Sequence, residues 1–406
     1  MQAQIISHTG NFWYNSLPMA VYLTAIVLTV LLVFAYERRR DLKWIAPLAA
    51  LPLAIVAAVR WNVGTDFKRT YLPEYRALEH VRGVGKPAAE EPIFVRWAKR
   101  GTFGDTPERV QRHFVRVLRR CEPAYRALME VAVLGNLGLR PVVGFCALLT
   151  AACVFFAIFR FSRWPSLAAF LYVATGNYFL SLNIMRQYVA IGIALVSIAF
   201  VLDKRPWRFL GCVLAATTFH YSAVLLLPCW LLGRIELTPK RSVPMIAGAF
   251  AFSLAAAPLA HRLLVSIGAN HYARYFSSTL AEDGFEWMFF AINICFLAMG
   301  AWYWDRAREG NRLFTLWYGM TVLGTVALAL SGTVPLMKRV NYYYAAPQFL
   351  MLPEMLLAEE DVRRRRILTT LAILAFVAET IVSVCLMNKN GVLPYRVGSW
   401  HGLCFR

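Results

Sequence analysis

The histidine at position 220 lies within the otherwise apolar stretch ATTFHYSAVLLLPCW, residues 216–230. Ionisable side chains at membrane depth are costly, and they usually face a partner or a water-filled cavity. An imidazole can take up a proton near neutral pH, so His220 is a candidate general base. The alternative is a core histidine bonded to a single carbonyl group.

Other residues capable of chemistry occur near the ends of other apolar stretches. They comprise two carboxylates that could accept or orient a proton, three arginines suited to binding phosphate, a glutamine and a tyrosine. In chain order they are Arg60, Asp66, Glu122, Arg186, Gln187, Arg339 and Tyr342.

The composition indicates a membrane protein. The 406 residues are 59% hydrophobic and only 16% charged, which is too apolar for a soluble protein of this length. The net charge of +20 lies mostly in short runs between apolar stretches, where it fixes orientation and contacts anionic lipid. We therefore expect membrane lipid, and no nucleic acid, among its partners.

Six of the eight cysteines lie inside apolar stretches, where a cysteine packs as a small apolar residue. A disulfide between the other two, Cys121 and Cys404, stays open, because sequence does not show whether they approach each other.

The apolar stretches predict an all-α, polytopic fold with about 11–12 transmembrane segments in a single membrane domain, residues 1–406. A helix needs about 20 mainly apolar residues to cross a bilayer. The candidates are residues 17–36, 44–60, 141–159, 165–182, 187–202, 207–233, 243–260, 286–304, 313–331, 341–357 and 366–386.

The basic loops predict the direction of each span. ERRRDLK at residues 37–43 should be cytoplasmic, which places the amino terminus outside. Residues 207–233 are long for one crossing and short for two. If this segment breaks near His220 and returns, the later basic loops, beginning with RIELTPKR at 234–241, also become cytoplasmic. The sequence thus predicts a broken or re-entrant pair, with His220 at its outward tip.

Each candidate residue also has a simpler explanation. The arginines could lie at span ends with their stems in lipid, Gly64-Thr65-Asp66 could be a turn, and Asp66 could pair with Arg60. Tyr342 could belong to an interfacial aromatic belt. Three arginines on the outer side, where basic residues are disfavoured, still favour a functional site.

Residues 60–140 are predicted to form one large extracytoplasmic loop with a basic amphipathic helix near 107–120, PERVQRHFVRVLRR. Val110, Phe114 and Leu118 share one side of that helix, while most arginines lie off it. Such a helix could lie on anionic lipid, or it could pack on the protein with its charged face in water.

Several motifs, taken in order, resemble the EpsG family. They are R-x3-GTD-x4-Y from Arg60, E-P-x-Y from Glu122, N-x-M-R-Q around Arg186, F-H-x-S around His220, and R-x2-Y-Y from Arg339. The resemblance covers residues 55 to 350, and the RQ and FHxS motifs are its most specific elements. The insertion between Asp66 and Glu122 looks longer than the family pattern.

The resemblance implies a Wzy-like glycosyltransferase that polymerises exopolysaccharide, O-antigen or capsule repeat units in the bacterial inner (cytoplasmic) membrane. Its donor would be an oligosaccharide on undecaprenyl diphosphate, and its acceptor the terminal sugar of a second lipid-linked unit, at the periplasmic face. No cofactor, metal or nucleotide sugar is implied. A chain-length regulator or export complex is a candidate further partner.

In this mechanism, His220, Asp66 and Arg186 are predicted to be catalytic. Either His220 or Asp66 would act as base, with the other orienting it, and Arg186 would stabilise the departing diphosphate. Arg60, Glu122, Gln187, Arg339 and Tyr342 are predicted to bind substrate.

Three other functions fit parts of the pattern. An O-antigen ligase would use the same arginines and carrier. A flippase or transporter of lipid-linked sugar would place its cations along a path through the membrane, not at one surface. A membrane acyltransferase would use His220, but it would usually keep an acidic partner close in sequence.

Overall fold

The computed structural model describes residues 12–84, 107–266, 286–331 and 337–397. Within these ranges the chain is helical and forms no strand; one isolated antiparallel bridge joins Arg60 to Val397. Its α-helices are, in order, α1 Phe12–Arg38, α2 Ile45–Val59, α3 Leu72–Val81, α4 Pro107–Arg119, α5 Pro123–Leu134, α6 Arg140–Phe161, α7 Pro165–Ala174, α8 Asn177–Asn183, α9 Met185–Leu202, α10 Pro206–Phe219, α11 Cys229–Leu232, α12 Pro239–Ser266, α13 Trp287–Trp302, α14 Trp304–Gly310, α15 Leu313–Ala329, α16 Met337–Ala345, α17 Gln348–Leu357 and α18 Val362–Thr380.

Shorter helical turns complete the described chain. They are π-helical at Phe67–Tyr71 and Ile381–Leu386, and 3-10 helical at Tyr221–Leu226. Cys121 is a buried free thiol, and Cys404, its candidate partner, lies outside the described residues.

Four described helical segments are long and apolar enough to cross a membrane: Met19–Arg38, Arg140–Phe161, Met185–Leu202 and Val362–Leu386. A fifth is obtained if the bent pair α13 and α14 counts as one span. Five further apolar helices have 10–17 residues. The all-helical membrane fold is therefore observed, whereas the full number of 11–12 spans stays a prediction.

Helix α18 shows what the outer layer of this fold is like. None of its residues is buried, and Leu371 and Leu374 are 57% and 59% exposed. An apolar helix that packs only one side loosely on the protein and leaves its leucines exposed suits a lipid solvent, because lipid imposes no penalty on exposed leucine.

The loops predicted to be cytoplasmic meet at one end of the helix bundle. At this end the backbone N–H of Arg163 donates to Glu354 at 3.0 Å, and the Asn311 amide donates to the Phe161 carbonyl at 3.2 Å. In the same region Arg308 and Glu236 lie 3.9 Å apart.

The chain reverses direction at His220. This residue is extended, with φ −156° and ψ 115°, and it separates α10 from the following 3-10 turn. As a result, the ring of Trp230 in α11 lies 5.5 Å from the ring of Phe209 near the start of α10. A Cβ atom on Gly233 would come within 2.5 Å of Val201, so the segment returns to the level at which α9 ends.

Helix α4 packs on the protein. Its apolar side buries Phe114 and Leu118, and the Phe114 ring lies 5.1 Å from that of His80 at the end of α3. Arg112, Arg116 and the two arginines at 119 and 120 are exposed. The apolar side of this amphipathic helix therefore packs on the protein, and whether its charged face meets water or anionic lipid stays a prediction.

This geometry predicts the outcome of a labelling experiment. In a cysteine-free background, Arg205→Cys and Lys240→Cys should both react with a membrane-impermeant thiol reagent from one side. Arg339→Cys should react only from the other side, because residues 206–232 double back. Reaction of Lys240→Cys from the same side as Arg339→Cys would instead show a single crossing by this segment; the cysteine-free parent is the control.

Candidate active site

Glu122 connects three distant parts of the chain at the other end of the bundle. Its Oε1 atom lies 2.8 Å from His220 Nδ1, and its Oε2 accepts a hydrogen bond of 2.8 Å from Arg186 Nη1. Glu122 occupies the N-cap position of α5, and its side chain is only 6% exposed. Both oxygens of one buried carboxylate are thus used to fix two other side chains.

The bond to Glu122 determines which nitrogen of His220 is open. An ionised carboxylate only accepts hydrogen bonds, so Nδ1 carries the hydrogen of a neutral imidazole and Nε2 keeps its lone pair. Within the described part of the chain, Nε2 makes no hydrogen bond, and the side chain is 18% exposed. The carboxylate that orients the His220 imidazole is therefore Glu122 and not Asp66.

Arg186 is enclosed by carboxylates and rings. Its Nη1 atom also lies 3.4 Å from Glu74 Oε1, and its guanidinium carbon stands 5.5 and 4.9 Å from the ring centres of Tyr71 and Tyr125. Its side chain is 15% exposed. The charge of Arg186 is thus already neutralised, which fits a role in holding Glu122 better than direct binding of a diphosphate.

Glu74, which sequence reasoning missed, is the second carboxylate on Arg186. It lies in the first turn of α3, eight positions after Asp66. Its Oε2 atom is buried without a hydrogen bond, and burial raises the pKa of Glu74 to about 6. The sequence feature that could have pointed to Glu74 is the amphipathic helix that follows the GTD motif.

The pKa values of the two carboxylates on Arg186 are shifted in opposite directions. Burial alone would raise the pKa of Glu122, but the hydrogen bond with His220 and the charge of Arg186 hold it below its usual value. Burial raises the pKa of Glu74 instead. Glu122 is therefore the more readily ionised of the two carboxyl groups.

The GTD turn is held by Asn183, the first residue of the N-x-M-R-Q motif. The Asn183 Oδ1 atom accepts hydrogen bonds of 2.9 Å from Thr65 Oγ1 and from the Asp66 backbone N–H. Gly64 has φ +92°, a backbone conformation that residues other than glycine rarely adopt.

The carboxyl group of Asp66 makes no ion pair with Arg60 or with any other described residue. Burial raises its pKa, while the positive charges of Arg339, Arg186 and Arg69 lower it. Arg69 and Arg339 are exposed, and neither forms an ion pair within the described residues. Asp66 therefore lies among cations that are still free to bind an anion, and Arg69 is a candidate that the sequence reasoning did not single out.

The remaining predicted residues comprise two that contact the region of α13 and α16 and one buried arginine. Gln187 donates a 2.7 Å hydrogen bond to the Arg339 carbonyl, which links α9 to α16, and Tyr342 packs its ring 6.0 Å from Phe289. Arg60 is only 2% exposed and donates to the carbonyls of Ala57 and Leu182. That placement does not support the predicted substrate contact of Arg60, because its guanidinium is committed to backbone groups.

A family model described as the EpsG family matches residues 43–397. The chain belongs to the EpsG family. Comparisons with curated proteins and with solved structures returned no match.

Family membership and the apolar helices together make this a membrane protein of the exopolysaccharide-polymerase type. The acidic partner of His220 is Glu122, which lies 98 residues away and not close in sequence as an acyltransferase would usually keep it. The EpsG match now favours glycosyl transfer instead.

The position of Gly64 predicts the effect of Gly64→Ala. The new Cβ would lie 2.8 Å from the Leu182 carbonyl oxygen, on a backbone that is already unfavourable for alanine. We expect a loss of about 1–3 kcal/mol in stability, measured by thermal unfolding in detergent. Gly83→Ala is the matched control, because Gly83 has φ +68° with nothing within 4 Å of its Cβ. Equal losses in the two variants would show that the contact with Leu182 is unimportant.

The raised pKa of Glu74 predicts how Glu74→Gln changes stability with pH. A carboxyl group whose pKa rises on folding binds its proton more tightly in the folded state, so wild-type stability falls as pH rises from about 4.5 to about 6. Glutamine does not titrate. Between pH 4.5 and pH 7 the variant should therefore gain up to about 2 kcal/mol relative to wild type. A difference in unfolding temperature that is the same at both pH values would contradict this.

Proposed function

We propose that this EpsG-family protein transfers a glycan from an undecaprenyl-diphosphate-linked donor to the terminal sugar of a second lipid-linked unit. The observation that carries the proposal is the hydrogen bond between Glu122 and His220, which leaves Nε2 open as a base. The groups around it suit an acceptor hydroxyl on one side and an anionic leaving group on the other.

The extracytoplasmic face is proposed from the distribution of charge. Basic loops meet at the end of the bundle marked by Arg163, Glu236 and Arg308, and such loops favour the cytoplasm. The Glu122–His220 pair then faces the outside of the bacterial inner membrane. Residues 206–232 become a re-entrant pair whose tip carries His220, and residues 60–140 become an external loop.

His220 is proposed to remove the proton from the acceptor hydroxyl. As that oxygen bonds to the anomeric carbon, the bond from this carbon to the diphosphate oxygen breaks, and the imidazolium is stabilised by ionised Glu122. Glu74 and Arg186 act indirectly by fixing Glu122. Asp66 makes no hydrogen bond to His220, so we assign it to a sugar hydroxyl and not to the transferred proton.

Arg339 and Arg69 are proposed to receive the departing diphosphate. Negative charge develops on the leaving oxygen, and fixed cations stabilise such charge most strongly where little reorganisation is needed. Both arginines act electrostatically on Asp66, which supports a position for their charges close to the sugar that we assign to Asp66. Arg186 and Arg60 are not assigned this role, because carboxylates or carbonyls already occupy their guanidinium groups.

The proposal is tested by chain extension in cells that lack the native copy. His220→Gln should abolish long chains and leave single lipid-linked units, since removal of a general base typically costs about 10²–10⁴-fold. His113→Gln, in α4, makes the same chemical change away from the site and should retain long chains.

Three outcomes would contradict the proposal, provided that the variant is present at normal levels in the membrane. Long chains made by His220→Gln would show that His220 is not the base. Wild-type protein that moves finished glycans without lengthening them would indicate a ligase. Lipid-linked units that stay on the cytoplasmic face in cells with His220→Gln would indicate a transporter.

A further inference from the structure

Two lysines from distant parts of the chain meet on one aromatic ring, apart from the Glu122–His220 pair. Lys338 lies in the first turn of α16, and Lys389 lies in the turn that follows residues 381–386. Their ammonium nitrogens stand 5.5 and 4.9 Å from the ring centre of Phe289 in α13. Ammonium groups are attracted to an aromatic face, but two on one ring also repel each other.

The nearby carboxylates leave Lys389 without a direct partner. Glu286 forms an ion pair with Lys338, and both Glu286 and Glu379 act on Lys389 only at longer range. Within the described residues Lys389 has no ion pair. Burial and the charge of Lys338 lower the pKa of Lys389, so an anion bound beside the two lysines would favour its protonated form.

The lysine pair is attached to the same segments that hold the candidate active site. The carbonyls of Asn390 and Gly391 accept hydrogen bonds from the backbone N–H groups of Thr65 and Gly64, at 3.3 and 2.9 Å. Lys338 directly precedes Arg339, whose carbonyl is bound by Gln187. The two cationic sites thus occupy the same end of the molecule and are fixed relative to each other.

We propose that Lys338 and Lys389, which both contact the Phe289 ring, form a second anion site that binds the diphosphate of the acceptor lipid. This rests on the proposed function, in which both substrates carry a diphosphate but only the donor releases one. Arg339 and Arg69 take the diphosphate that leaves. Lysines suit the acceptor diphosphate, which does not leave, because a lysine binds phosphate as a point charge and does not need the bidentate geometry that an arginine provides.

The test uses the purified full-length protein with saturating donor and two acceptors, one linked to lipid diphosphate and one a free saccharide. The double variant Lys338→Met/Lys389→Met keeps the side-chain stems and removes both charges. We expect the KM for the lipid-diphosphate acceptor to rise at least tenfold, with kcat within twofold of wild type. The KM for the free saccharide should not change. Lys240→Met, at the opposite end, is the matched control and should alter neither KM.

A rise in KM for both acceptors would show a structural role and overturn the proposal, as would no rise for either. The source of the phosphate is resolved by competition. Inorganic pyrophosphate should compete for the lysine site in wild type and not in the double variant. Binding of phosphatidylglycerol vesicles that is lost in the variant, with the acceptor KM unchanged, would assign the site to membrane lipid and overturn the acceptor role.

A direct binding measurement separates this inference from the proposed function. Undecaprenyl diphosphate should bind wild-type protein at two sites and the double variant at one, whether or not chains are made. Failure of wild type to extend chains while this difference persists would reject the polymerase and keep the anion site. A single site in both proteins, together with normal chain extension, would reject the anion site and keep the polymerase.

Discussion

The buried carboxylate of Glu122 is the constraint on which the rest of the site depends. One oxygen fixes the imidazole of His220 and the other fixes the guanidinium of Arg186, each at 2.8 Å. Removing one partner from a buried ionic pair typically costs about 3–5 kcal/mol, because the remaining charge is left without compensation. Residues 122, 186 and 220 therefore hold one another in place, although no two of them are close in sequence.

Local structure supports this carboxylate from several directions. Glu122 occupies the N-cap position of α5, where the positive end of the helix dipole favours an ionised group, although its side chain makes no capping hydrogen bond. The extended backbone at His220 reverses the chain and brings the imidazole to the level at which α9 begins. The His220 hydrogen bond and the Arg186 charge together keep Glu122 readily ionised in a site that is mostly closed to water.

The sequence predicts the parts of this arrangement that depend on local pattern. Apolar stretches predict an all-helical membrane protein, which is confirmed, whereas the direction of the spans and the re-entrant pair at His220 stay predictions. Pairing across the fold is not encoded locally. Nothing in the sequence singles out Glu74 as a partner of Arg186. Arg60 is predicted to bind substrate, but its guanidinium donates to two backbone carbonyls, and Arg186 is predicted to bind the diphosphate, but two carboxylates enclose it.

Glu122 and His220 are proposed to act as one unit, and a double-mutant cycle on chain extension is the sharpest test of that coupling. Rates would be measured for Glu122→Gln, His220→Gln and the double variant, each at equal levels in the membrane. If Glu122 acts through His220, the double variant will be about as slow as His220→Gln alone, because effects of residues that act as a unit are not additive. Losses that multiply would show that the two residues act independently, and they would contradict the account.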